Sequence, residues 1–154
     1  MKAEYINPFL DASINLFKTH LMFNVKNKTP YVNQDSQNLN EVSAIIGLAG
    51  DIIGAVVLSF TRDTAIAMAS RFSGQKHLAV GKEVLDAIGE LVNIIAGNAK
   101  KDLNDFRIEI SLPGVITGHK YKINWPQSVP VITIPFESDA GDFTVNVSFK
   151  QAKK

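Results

Sequence analysis

The chain has 154 residues with 16 basic and 15 acidic side chains, a formal charge of +1, and 45% apolar against 20% charged residues. That is the balance of a single globular domain over residues 1–154, and it argues against a protein built to grip a nucleic-acid backbone or an anionic membrane. With no cysteine, disulfide scaffolds, thiolate zinc sites, iron–sulfur clusters and cysteine nucleophiles are excluded.

The first segment, MKAEYINPFLDASINLF, lacks the apolar core and cleavage site of a secretory signal, so a cytoplasmic location is expected. Its apolar residues Ile6, Leu10, Ile14, Phe17 and Leu21 recur at helical spacing and predict a helix over about 3–20, with Pro8 in its first two turns or kinking it. Residues 24–40, rich in Asn, Gln and Lys, read as a long connection or a weak edge strand. The apolar run Ala44–Leu58 is too short to cross a membrane and is split by Gly50-Asp51. It reads as two antiparallel strands, about 42–49 and 52–60, on a two-residue turn.

A helix over about 63–72 follows, capped by Thr61 and stopped by Ser73-Gly74, and then the longest helix, roughly Val80 to Leu103. Beyond it the period changes to two. Phe106, Ile108, Ile110 and Leu112 alternate with polar residues and predict a strand facing inward, with another expected over 117–124. Val129–Glu137 and Asp142–Lys150 read as a hairpin, although Pro126, Pro130 and Pro135 weaken a continuous central strand there. The expected fold is α+β, with helices packed on a largely antiparallel β-sheet.

The long helix carries the chemical information. In VLDAIGELVNIIAGNAKK (Val84–Lys101), Leu85, Ile88, Leu91, Val92, Ile95 and Ala99 form an apolar arc. Asp86, Glu90, Asn93 and Gly97 fall on the opposite side within about 60° of one another. Most such stripes are solvated polar faces. Here, however, Gly89 and Gly97 each cost about 1 kcal/mol relative to Ala inside a helix. A carboxylate, an amide, a bare backbone patch at Gly97 and a part-exposed Ile94 together read as a docking face.

The run DAIGELVNIIAGNA (Asp86–Ala99) resembles the signature helix of the CheC/CheX/FliY chemotaxis phosphatases, as do the chain's length and order of elements. The family pattern, an acidic or Ser residue, then Glu, then Asn and a later Pro, falls on Asp86, Glu90, Asn93 and Pro113. Two-site members repeat Glu-x-x-Asn in the first helix. Here Ala12 stands three before Asn15, so the arrangement is the single-site one of CheX, and Asp11 and Asn15 read as ordinary surface residues.

The resemblance implies a CheC/CheX-like sandwich and a phosphatase acting on the aspartyl phosphate of a CheY-like receiver. Asn93 would orient the attacking water and Glu90 would pair with the receiver's lysine. Asp86, Ile94 and Gly97 would contact the partner. The chain would need no cofactor of its own, since Mg2+ belongs to the receiver, and it would form a homodimer through its sheets. The competing expectations are a CheX-like module that binds a receiver or motor component without catalysis, and an unrelated small-molecule binder with a deep apolar pocket. His20, His77 and His119 are scattered without ligand-like spacing, so no metal site is expected. Lys100 and Lys101 fit the negative end of the helix dipole better than a ligand.

Overall fold

The computed structural model describes residues 2–34, 39–119 and 121–152. In chain order these form α1 (Ala3–Ile14), β1 (Val25–Asn27), β2 (Tyr31–Asn33), β3 (Val42–Gly50), β4 (Ile52–Phe60), α2 (Arg62–Ser73), α3 (Lys82–Lys101), β5 (Ile108–Ile110), β6 (Gly114–Thr117), β7 (Val131–Ser138) and β8 (Phe143–Gln151). The sheet runs β1-β7-β8-β4-β3-β5, with β2 also beside β7 and β6 also beside β3. Every pairing is antiparallel.

Period-two alternation decides which side of each strand meets the helices. Ile46, Val56, Leu58, Phe60, Val145 and Val147 point into the core and are fully buried. Against them pack Phe9 and Phe17 from the first helical segment, Met68 from α2, and Ile88, Leu91 and Ile95 from α3. Phe143 lies at the centre of an aromatic group, 4.6 Å from Phe17, 5.0 Å from Phe136 and 5.2 Å from Phe60 between ring centroids. Each such side chain contributes about 1.5–3 kcal/mol through burial.

The first helix is longer than α1 alone. It continues as a π-helical turn over Asn15–His20, and the Leu21 N–H reaches back five residues to the Leu16 carbonyl. Pro8 is accommodated inside α1. Thr61 caps α2 as expected, its hydroxyl accepting from the Thr64 N–H at 3.3 Å. The 24–40 segment contributes two three-residue edge strands, both taking their hydrogen bonds from β7; residues 35–38 lie outside the described residues.

Three sequence expectations are corrected. Val42 lies opposite Phe60 and Leu48 opposite Gly54, so the β3–β4 hairpin is centred on Asp51 and is not a two-residue turn. Gly50 instead adopts φ +102° and also pairs with Ile108, so close to β5 that a Cβ there would lie 2.5 Å from the Arg107 carbonyl. The strand expected through Leu112 ends at Ile110, and Leu112, expected to face inward, is 91% exposed. The strand expected over 117–124 lies earlier, at Gly114–Thr117, because Gly118 turns the chain out with φ +122°.

Beyond that turn the chain crosses the sheet's other face. The Tyr121 hydroxyl bonds to Ser43 Oγ and to the Asn40 carbonyl, and Lys150 Nζ donates to the Gln127 carbonyl at 3.3 Å. Burial there pushes the Tyr121 phenol pKa up. Under this cover lie buried Ser43, Ser59, Thr133 and Asn146, linked by hydrogen bonds such as Thr133 Oγ1 to Asn146 Oδ1 at 2.7 Å. Satisfied in this way, the polar residues cost little to bury.

Candidate functional site

Regular α-helical geometry over Lys82–Lys101 sets Asp86, Glu90, Asn93 and Gly97 along one outward stripe. Its opposite side is fixed by Ile88, Leu91, Val92 and Ile95, none of which retains exposed surface. The helix therefore cannot rotate without uncovering its core face, and packing holds the stripe in place.

Glu90 is exposed and Asn93 half-buried. Asn93 Nδ2 donates to Glu90 Oε1 at 3.5 Å, the long end of a hydrogen bond. The contact turns the amide nitrogen toward the carboxylate and leaves Asn93 Oδ1 to accept from something outside. Asp86, one turn toward the N-terminus, stands 3.7 Å from Lys82 Nζ, and both side chains are largely in solvent. Ile94 is half-buried and packs against the core cluster at the stripe's edge. Gly97 is half-buried, and among the described residues a Cβ built there would meet nothing within 4 Å beyond the helix's own backbone.

Gly89 has a role that its place in the sequence did not reveal. A Cβ there would lie 3.4 Å from Val115 Cγ2 and 3.6 Å from Pro113 Cγ. The bare helix surface at Gly89 is where β6 and the residue before it settle against α3. Pro113 thus borders the stripe, and Leu112, placed in the core by its alternation, stands exposed beside it. The Pro113-Gly114 pair was the sequence signal that the strand had stopped short of Leu112.

The other candidates remain apart from the stripe. Asp11 and Asn15 are exposed, while Ala12 between them is buried. The His77 ring lies 3.0 Å from Ser73 Oγ and 3.7 Å from Glu83, and His20 and His119 are exposed. Among the described residues, no group of three or more His, Asp or Glu could hold a metal ion, and no helix is long and apolar enough to cross a membrane.

What the stripe offers is an amide and a carboxylate on an open helix face. CheY-P phosphatase CheX of Thermotoga maritima is 26% identical over 153 residues, covering 97% of this chain and 98% of that protein. The crystal structure of chemotaxis protein CheX from Desulfovibrio desulfuricans superposes with a TM-score of 0.85 at 30% identity, covering 97% of this chain and 99% of that one. A chain of the CheX–CheY–BeF3–Mg2+ complex from Borrelia burgdorferi superposes with a TM-score of 0.81 at 26% identity, covering 97% and 100%. The family model described as chemotaxis phosphatase CheX matches residues 42–137, well over half of the chain and including the whole of α3, so the chain belongs to the CheX family.

Proposed function

We propose that this chain removes the phosphoryl group from the aspartyl phosphate of a CheY-like receiver, with Asn93 orienting the attacking water and Glu90 docking on the receiver. The observation that carries the reading is the Glu90–Asn93 pair, 3.5 Å apart on the open face of α3 in a CheX-family chain. The relatives named above include a CheY-P phosphatase and a complex of CheX with CheY.

The chemistry asks little of the chain. Water's oxygen bonds to phosphorus as the bond from phosphorus to the aspartyl oxygen breaks, giving a free carboxylate and inorganic phosphate. Such a transfer is accelerated mainly by positioning and electrostatics. An amide can fix a water without changing its own protonation state. Glu90 would leave Asn93 as it pairs with the receiver's lysine, freeing the amide nitrogen to act with the oxygen on one water. Mg2+ would be supplied by the receiver. Asp86, Ile94 and Gly97 would frame the contact. Action as a cytoplasmic homodimer joined through sheet edges belongs to the same proposal; the short outer strands β1, β2, β5 and β6 leave such edges.

The test follows the decay of a phosphorylated CheY-like receiver in Mg2+, with wild type, with Asn93→Ala and alone. Acceleration by wild type and not by the variant supports the reading. Binding without acceleration would favour a non-catalytic interaction module, and neither effect would remove the receiver as partner.

A further inference from the structure

Leu112 leaves 91% of its surface in solvent, more than Leu78 at 81% or Met22 at 76%. One exposed leucine needs no explanation in itself; its setting singles it out. Ser111 is tied twice to β3, its N–H donating to the Gly47 carbonyl at 3.0 Å and its Oγ accepting from the Gly47 N–H at 2.8 Å. The same Oγ donates to the Leu112 carbonyl at 3.0 Å. On the other side, Pro113 has a ring-locked φ and lies against Gly89, and Gly114 pairs with Ile45. The backbone is anchored before and after Leu112, so the side chain is presented on a short fixed arch.

The arch also stands in a telling place. Gly89 is four residues before Asn93, about 40° around the helix axis from it, and directly precedes Glu90. Pro113 covers Gly89, and the Leu112 Cα is a single chain step of about 3.8 Å from that of Pro113. Through the Gly89–Pro113 contact, Leu112 is thus a near neighbour of the stripe that holds Glu90 and Asn93. Exposed charged groups such as Glu90 supply register and steering but little affinity. Interfaces that hold usually add an apolar anchor in a recess on the partner.

We propose that Leu112 is that anchor. It seats in an apolar recess of the receiver beside the phosphorylated aspartate while Glu90 and Asn93 reach the phosphoryl group. The proposal rests on the phosphatase reading and adds a residue that positions the partner without touching the reacting atoms.

Full-length Leu112→Ser and Leu112→Met chains are assayed over a range of phosphorylated-receiver concentrations, separating KM from kcat. Leu112→Ser should raise KM about tenfold with kcat and the unfolding temperature unchanged, and Leu112→Met should keep KM within about twofold of wild type. An unchanged KM in Leu112→Ser, a loss in kcat alone, or a lowered unfolding temperature would each overturn the anchor. Should wild type fail to accelerate decay, the phosphatase reading falls on its own. The anchor is then judged by titrating receiver against both chains, where equal affinities overturn it and weaker binding by Leu112→Ser upholds it.

Discussion

The two faces of α3 do different work with neighbouring residues. Leu91 and Val92 are fully buried, while Glu90 and Asn93, on either side of them, face outward. A turn of about 100° per residue makes that division. One face secures the helix to the sheet, and the other stays free to meet a partner. α1 shows the contrasting case. Ala12, where a second Glu-x-x-Asn pair would begin, is 7% exposed and belongs to the core, and Asn15 opens a π-helical turn. A carboxylate at position 12 would be pointed inward. In α3 the outward face can therefore change while the fold stays, whereas position 12 of α1 lies on the face packed against the core.

Asn93→Ala should have the largest effect on the outward face. Its kcat against the phosphorylated receiver should fall by about 10²–10³, the loss typical of a preorganised polar group acting in the transition state. Thermal unfolding should stay within about 0.5 kcal/mol of wild type. A variant that unfolds would assign Asn93 to the core-bearing side. Leu91→Ala tests the opposite face and should lose about 2–5 kcal/mol in a denaturant titration. Assayed well below its unfolding transition, its rate per folded molecule should remain that of wild type.

The same division explains how much the sequence disclosed. α3 was legible because both its faces are written in one local repeat, and Glu90 and Asn93 needed only that repeat to be placed together. The β3–β4 and β7–β8 hairpins were legible through their long apolar strands. Leu112 was not, because the alternation from Phe106 runs on in the sequence past Ile110, where the pairing stops. Nor was the covering of Gly89, which depends on a contact between α3 and a segment more than twenty residues away. β1 and β2 were obscure for a related reason. Three residues carry no pattern of their own, and β7 supplies the hydrogen bonds that make them strands. Tyr121 and Ile123 alternate as in a strand, yet Tyr121 is used as a tie across the sheet.

Gly97→Ala should act on the outward face on a smaller scale. The new methyl meets no other part of the described residues within 4 Å beyond the helix's own backbone, so the helix should gain about 1 kcal/mol from propensity alone. If the bare patch serves close approach, the gain in unfolding temperature comes with a weaker receiver complex, read as a raised KM at unchanged kcat. A stabilised protein with unaltered KM would leave Gly97 outside the contact.

Asp86→Asn should show the smallest effect on stability. Its ion pair with Lys82 spans 3.7 Å between side chains that are 69% and 90% exposed, with the lysine on the N-terminal side, the weaker order for an i,i+4 pair. Solvent and salt screen such a pair, so its loss should cost no more than about 0.3 kcal/mol and vanish at high ionic strength. That small structural stake makes Asp86 a clean reporter of docking. A KM for the receiver that rises in Asp86→Asn at low salt, and converges with wild type at high salt, would mark a charge meeting the partner. Equal KM values at every salt concentration would confine Asp86 to its pairing with Lys82 and narrow the working stripe to Glu90, Asn93 and Gly97.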